Sequence, residues 1–262
     1  MQPVLHYYDF GEGVKAFSTT RQGGYSKGSY GEFNINRYCG DSKEAVSRNR
    51  AMLCELLGID DSRLVMPHQV HGTEIVAVDG LSCTGQEHQD SPQDSSLEGV
   101  DALMTNVPGI CIGVSTADCI PVLLYDRKHH AASAIHAGWR GTVKRIVGKA
   151  VAAMTNTYGT HPTDLIAQIG PGIHVESFEV GDEVYNAFAD EGFEMELISR
   201  KYDSKWHIDL PACNRYQLLA SGIPATRIAV SPICTYRHPD IYFSARRLTI
   251  NSGRIFTGIL IR

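Results

Sequence analysis

The sequence predicts a single α+β domain built around a mixed or antiparallel sheet. The chain has 262 residues, 43% of them hydrophobic and 20% charged, which suits one large globular domain and excludes global disorder. Its middle part is densely strand-like, and several of its runs are apolar throughout, as in strands buried on both faces. Strands and helices are mixed without regular βαβ alternation, and no internal repeat is apparent.

The first part of the chain predicts four strands around one helix. The expected strands cover 4–8, 14–20, 64–66 and 74–78. The helix is expected over about 42–57, because Asp41 and Glu44 form a capping-box-like start and Gly58 follows its end. The polar segment 80–99 has no periodicity, so it is expected to be a mobile loop within the domain.

The remaining strands are predicted from apolar runs bounded by turn residues. They cover 101–105, 110–115, 121–126, 131–136, 165–169, 228–230, 241–244 and 254–261. A helix is expected over about 142–158, where apolar residues recur at helical spacing before Gly159. Further helices are expected near 182–190 and over about 210–221, the second with Asp209 as its cap.

Composition excludes several functional classes. The net charge of −5 argues against a general nucleic-acid or membrane-surface binder. The longest apolar run, 120–125, is about a third of the length that a membrane span needs. The N-terminal sequence MQPVLHYYDF lacks the basic start and apolar core of a signal peptide. We therefore expect a soluble cytoplasmic protein, and the sequence does not indicate its oligomeric state.

The cysteines indicate reduced thiols. There are seven of them, an odd number, and no CxxC pair occurs, whereas a disulfide scaffold would be smaller and denser in cysteine. A cysteine with a special role would therefore be catalytic or a metal ligand.

Several familiar signatures do not fit. GEGVKA is followed by a strand-like segment where a dinucleotide-binding motif needs a helix. GYSKG lies in a flexible Gly-rich loop and not in a nucleophile elbow. The zinc deaminase signature is absent, and no H-x-H pair exists from which a four-copper laccase site could be assembled in the usual way.

Three short motifs each place a His or Cys where a strand gives way to a turn. They are PHQVHG (67–72), TADCIP (116–121) and HAGWRG (136–141). One thiolate and two imidazoles suit zinc, with the fourth position left for water, and the same ligands also suit copper. Spacing alone does not show that they converge. Hydrogen-bonded structural histidines and a core cysteine are the alternative.

These motifs, with STTRQGG near the start and IGPGI followed by FEVG later, resemble the laccase-domain family, also called the multicopper polyphenol oxidoreductase family. The match is collinear from about residue 14, so we expect one such domain over 1–262. The resemblance implies a mixed β-sandwich flanked by helices, similar to the catalytic domain of a bacterial Cys-His deamidase toxin. It also implies zinc held by His71, Cys119 and His136, whereas His68 falls at a position that the family does not fix.

The family is associated with purine nucleoside phosphorylase activity. The resemblance therefore implies phosphorolysis of adenosine, inosine and methylthioadenosine, with adenosine deamination as a further activity. Deamination needs a nucleophilic water at neutral pH, which zinc can provide. Asp118, next to Cys119, would be a partner of the metal site or a proton shuttle, or else a turn residue.

Phosphorolysis also needs an anion clamp, for which arginine is suited by its planar fork. Arg140 stands beside the start of the 142–158 helix, whose N-terminus would add backbone donors. Arg21 and Arg246 are further candidates, and surface roles are the alternative for each arginine. Asn34 would hold a ribose hydroxyl or stabilise a turn.

Three other functions remain open. One is a copper-dependent polyphenol oxidase. Another is a Cys-His amidohydrolase with Cys119 as nucleophile and His136 as base. The third is a zinc-stabilised binding module without activity. The expected partners are purine nucleosides and phosphate, with neither nucleic acid nor membrane.

Overall fold

Two β-sheets stacked face to face form the centre of the fold, in a computed structural model that describes residues 2–79 and 97–262. The strands in these ranges are β1 Leu5–Tyr8, β2 Val14–Thr19, β3 Leu64–Val65, β4 Glu74–Ala77, β5 Val100–Thr105, β6 Cys111–Thr116, β7 Ile120–Asp126, β8 Ala131–Ala137, β9 Leu165–Ile169, β10 Glu179–Val180, β11 Ser199–Tyr202, β12 Lys205–Ile208, β13 Ile228–Val230 and β14 Ile255–Ile261. The helices are α1 Lys43–Leu57, α2 Trp139–Val143, α3 Ile146–Tyr158, α4 Asp182–Asp190, α5 Met195–Ile198, α6 Leu210–Ala220 and α7 Ala245–Leu248.

Both large sheets are mixed. One has the order β1-β2-β14-β6-β3 and the other the order β13-β9-β7-β8-β5-β4. The pairs β3–β6, β4–β5 and β9–β13 are parallel, and the other pairs in these two sheets are antiparallel. A smaller sheet, β10-β12-β11, lies outside them.

The apolar runs predicted as doubly buried strands form the interior of the sandwich. Ile112 and Ile259 of the first sheet pack with Leu123 and Ala134 of the second, all of them fully buried. Helix α1 covers the outer face of the first sheet, and helices α3 and α6 cover the outer face of the second. The predicted mixed β-sandwich flanked by helices is confirmed.

Three local predictions need correction, and one hairpin is absent from them. The 142–158 helix is interrupted, because Arg145 adopts a left-handed backbone with φ of 59° between α2 and α3. The 241–244 segment is not a strand but an irregular segment ahead of α7. The cap of α1 is Ser42 and not Asp41, since the Ser42 side chain accepts the Ala45 N–H. The hairpin β11–β12 was not predicted.

Most of the predicted loop at 80–99 lies outside the described residues. Its last part, 97–99, is held to His68 by two backbone hydrogen bonds of 3.0 Å. The His68 N–H donates to the Leu97 carbonyl, and the Gly99 N–H donates to the His68 carbonyl. None of the helices within 2–79 and 97–262 has the length and apolar character needed to cross a membrane.

Candidate metal centre

Sheet register brings two of the predicted ligands together. Strands β7 and β8 are antiparallel neighbours in which Pro121 pairs with His136. The start of β7 therefore lies beside the end of β8, which places Cys119, one residue before β7, next to His136. His71 reaches the same place from the loop between β3 and β4.

The three side chains converge. Their potential ligand atoms all lie within 4.8 Å of one another, and the His71 and His136 rings are 4.8 Å apart at 72°. A tetrahedral zinc ion needs ligand atoms roughly 3.5 Å apart, close to the separations in this group. His71 is exposed, Cys119 half-buried and His136 buried, so the group opens to one side. This donor set fits zinc or copper.

A fourth side chain, Asp101, lies directly behind the group. Oδ1 of this carboxylate is 2.7 Å from Nδ1 of His136, and Asp101 is fully buried. It projects from β5, the neighbour of β8 in the sheet. Sequence reasoning missed Asp101, although a lone acid in the apolar strand VDALM was a signal, because buried carboxylates need partners.

The loop that carries His71 is tied down at two points. Asp101 accepts the N–H groups of Val70, His71 and Gly72 at 3.2, 3.0 and 2.6 Å. The Gln69 side chain pairs with the backbone of Ser115 through bonds of 2.9 and 2.7 Å. His71 itself has φ of 63°, an unfavourable conformation for a residue other than glycine that its neighbours must hold.

The electrostatics of the group favour a thiolate. Burial alone would raise the pKa of Cys119, but the charge of His136 and hydrogen bonds from His136 and His71 lower it below its usual range. Burial would likewise lower the pKa of His136, yet Cys119 and Asp101 raise it. Since the thiolate is the form that binds metals and attacks electrophiles, Cys119 is prepared for either role.

Gly138 closes the group from the backbone side. A Cβ at this position would lie 2.9 Å from Cδ2 of His71 and 3.0 Å from Sγ of Cys119. Glycine is therefore required here for lack of space, and the HAGWRG motif supplies both a candidate ligand and the room beside it.

Asp118 ties the Cys119 turn to two distant segments. Its side chain accepts the Thr235 hydroxyl and the Arg246 N–H, both at 2.7 Å, while its carbonyl accepts the Ile173 N–H at 2.8 Å. It adopts φ of 90°. These contacts favour the role of a turn residue for Asp118 over that of a proton shuttle.

Two of the candidate arginines lie near the candidate metal ligands, Arg140 along the chain and Arg246 through its contact with Asp118. Arg246, at the start of α7, is held through its N–H by Asp118, and its guanidinium donates to the Glu179 carbonyl at 3.1 Å. Arg140 is exposed, immediately follows Trp139 and lies 4.3 Å over the Trp139 ring. The long helix expected to begin beside Arg140 is here the five-residue α2.

The other two predicted binding residues have internal roles. Arg21 donates to the carbonyl groups of Gly31 and Pro239 and lies over the Phe243 ring, so it holds the Gly-rich loop in place. Asn34 is fully buried, donates to Asp41 at 2.9 Å and accepts the Arg254 N–H at 3.1 Å. An amide with these partners is not free to hold a ribose hydroxyl, so Asn34 stabilises the turn.

Fold and site together define a helix-flanked β-sandwich protein with a His-Cys-His group suited to a metal. Residues 15–262 match the family described as multi-copper polyphenol oxidoreductase laccase, and the chain belongs to this family.

Similar proteins carry nucleoside-enzyme names. The chain is 49% identical over 252 residues to a purine nucleoside phosphorylase of Bacteroides thetaiotaomicron, covering 95% of this chain and 92% of the relative. It is 43% identical over 250 residues to adenosine deaminase RL5 of an unknown prokaryotic organism, covering 95% and 94%. The structure of YlmD from Geobacillus stearothermophilus superposes with a TM-score of 0.88 at 34% identity, over 96% of this chain and 93% of that one. The predicted family is confirmed, and the relatives' names support an enzyme.

Proposed function

We propose that this protein is a zinc-dependent purine nucleoside enzyme. It cleaves adenosine, inosine and methylthioadenosine with phosphate, releasing the purine and the corresponding pentose 1-phosphate, and it converts adenosine and water into inosine and ammonia. The convergence of His71, Cys119 and His136 within 4.8 Å carries this proposal. Relatives named purine nucleoside phosphorylase and adenosine deaminase, each similar over most of the chain, support it.

The three side chains would hold the ion, with the exposed side near His71 left open to substrate. Bound there, zinc supplies a Lewis acid that makes water nucleophilic near neutral pH. The protein contributes the thiolate of Cys119 and an imidazole, His136, whose other nitrogen is already engaged by Asp101.

Phosphorolysis requires an oxygen of phosphate to attack C1′ of the ribose while the glycosidic C–N bond breaks. The purine leaves with the bonding electrons and takes up a proton. The distribution of charge along the chain favours an anion near the Cys119 turn. The segment 237–254, which contacts this turn through Arg246, contains four arginines and one aspartate, whereas the whole chain has a net charge of −5. Arg246, whose N–H is held by Asp118 next to Cys119, is the member of this segment that we assign to phosphate.

Chromatography of the products tests both activities. Zinc-loaded protein is incubated with adenosine, with and without phosphate. We expect adenine and ribose 1-phosphate only when phosphate is present, and inosine with ammonia under both conditions. Unchanged adenosine, in protein shown to be folded and loaded with metal, would refute the proposal.

One observation supports a second candidate, a Cys-His amidohydrolase. Sγ of Cys119 lies within 4.8 Å of the His136 imidazole, and Nδ1 of His136 is 2.7 Å from Asp101, which gives the order nucleophile, base and orienting carboxylate. Chelation separates the two proposals. If the protein is a zinc-dependent nucleoside enzyme, removal of zinc abolishes nucleoside turnover. If it is a Cys-His amidohydrolase, the zinc-free protein still releases ammonia from a glutamine-containing peptide.

The copper oxidase finds support in the family's description. Within the part of the chain that the structure describes, however, His71, Cys119 and His136 form one group of donors, which matches one ion and not several coppers.

A further inference from the structure

We propose that Asp101 is the positioning residue of the metal centre, a role that rests on the proposed metal function of the site. Its carboxylate fixes the tautomer of His136 and the backbone of His71, so that both imidazoles face Cys119. Asp101 would not touch the metal or the substrate and would act through the two ligands.

The first step concerns His136. A carboxylate accepts hydrogen bonds and does not donate them, so the 2.7 Å contact with Oδ1 of Asp101 places the proton of the imidazole on Nδ1. Nδ1 is thus occupied, and Nε2 is the nitrogen that is left to bind the metal. Nε2 lies on the side of the ring that faces Cys119. Both Nε2 of His136 and Sγ of Cys119 lie next to Gly138, at 3.6 and 3.0 Å from the position that a Cβ would occupy there. Asp101 therefore turns Nε2, the remaining nitrogen of the imidazole, toward the candidate metal position.

The second step concerns His71. Its left-handed backbone, with φ of 63°, is disfavoured for a side chain with a Cβ. The three successive N–H groups of 70–72 all point at the Asp101 carboxylate, at 2.6 to 3.2 Å. These bonds stabilise the turn that aims His71 at Cys119. One buried carboxylate thus connects both histidines.

Substitution by Asn gives a sharp test because it preserves the size of the side chain. In Asp101→Asn the amide oxygen in the place of Oδ2 still accepts the N–H groups of Val70 and Gly72. The NH₂ group in the place of Oδ1 faces Nδ1 of His136 and the N–H of His71, and it can accept a hydrogen bond from neither. A donor in that position favours the opposite tautomer, in which Nε2 carries the proton and cannot bind a metal.

The chain provides a matched control in Asp126. This residue is also fully buried, lies 2.7 Å from Nδ1 of His129, and accepts the N–H groups of Lys128 and His129. It lies at the opposite end of β7 from Cys119, about 20 Å away for a strand of this length. Asp126→Asn therefore makes the same chemical change away from the metal centre.

The experiment measures zinc affinity by competition with a chromophoric chelator, together with the absorption spectrum of the cobalt-substituted protein. We expect Asp101→Asn to weaken zinc binding by about 10- to 100-fold and to alter the tetrahedral cobalt bands. Asp126→Asn should stay within about threefold of the wild type, even though both variants lose thermal stability. Wild-type affinity and an unchanged cobalt spectrum in Asp101→Asn would overturn the proposal.

A second measurement needs no variant and covers the case in which Asp101→Asn does not fold. Nitrogen-15 NMR of the imidazoles in the zinc-loaded wild type should show His136 protonated at Nδ1, and protonation at Nε2 would overturn the inference. Zinc binding without any nucleoside turnover would refute the proposed function but not the role of Asp101. A wild type that binds no zinc would overturn both.

Discussion

Substitution of Gly138 by alanine tests whether the geometry of the His-Cys-His group matters for metal binding. The backbone of Gly138 has φ of −66° and ψ of 167°, which alanine adopts without strain. The new methyl group, however, would lie 2.9 Å from Cδ2 of His71 and 3.0 Å from Sγ of Cys119. The perturbation is therefore a steric one, directed at two of the three ligands.

The size of the effect follows from these distances. Nonbonded carbon atoms pack at about 3.5–4.0 Å, so His71 and Cys119 must each retreat by roughly 0.5–1 Å. Metal–ligand distances tolerate only about 0.2 Å, and a displaced ligand must lose part of its bond. We expect zinc affinity to fall about 10- to 100-fold, or about 1.4–2.8 kcal/mol.

Competition with a chromophoric chelator measures this affinity, and Gly148→Ala is the control. A Cβ at Gly148, within α3, would meet its nearest neighbour, Oγ of Ser221, at an ordinary 3.6 Å. The control should therefore bind zinc normally and gain about 0.5–1 kcal/mol of stability from the removal of a helical glycine. Wild-type zinc affinity in Gly138→Ala would refute the conclusion that His71 and Cys119 need the space beside Gly138 in order to bind the ion.

Three further predictions concern anion binding, thiol reactivity and stability. Arg246→Ala should raise the KM for phosphate about tenfold, which corresponds to the loss of roughly one charge-assisted hydrogen bond, while Arg247→Ala should leave this KM unchanged. An equal rise in the KM for phosphate and in the KM for the nucleoside would contradict a phosphate-binding role of Arg246. In zinc-free protein, burial acts to raise the pKa of Cys119, but the charge of His136 outweighs it and lowers this pKa to about 6. Alkylation of Cys119 should therefore increase as the pH rises through 6, and at pH 7 it should be faster than that of Cys39, whose pKa is raised by burial. Equal alkylation rates for the two cysteines, measured by mass spectrometry of the peptides, would contradict this. Asn34→Ala should lower the free energy of unfolding by about 1–3 kcal/mol, because buried partners lose their hydrogen bonds. An unchanged free energy of unfolding in urea denaturation would refute the stabilising role of Asn34 in the turn.

The fold could be predicted where apolar pattern and burial agree. The central strands were recognised because their residues are apolar on both faces, and the structure buries them completely. The break at Arg145 could not be seen, since the apolar stripe continues from Val143 to Ile146 across it. The segment 241–244 resembles a strand because Tyr242 and Phe243 are apolar, but they are buried as an irregular segment against Ala117.

The candidate site was predictable in its chemistry but not in its assembly. Motifs identified His71, Cys119 and His136, yet their meeting depends on the register of β7 against β8, which no local pattern specifies. Asp101 escaped notice because its partners are 29 to 35 residues away along the chain. The sequence is compatible with two roles for Asn34, and its buried hydrogen bonds favour the turn.

The most direct test of the central claim is the metal content of the purified protein after dialysis against zinc and removal of the excess, measured by mass spectrometry of the elements. The proposed centre predicts about one zinc ion for each wild-type chain and nearly none for folded Cys119→Ala, with Cys39→Ala as a control that keeps its zinc. Equal zinc in the wild type and in Cys119→Ala would contradict the assignment of His71, Cys119 and His136 as the metal centre.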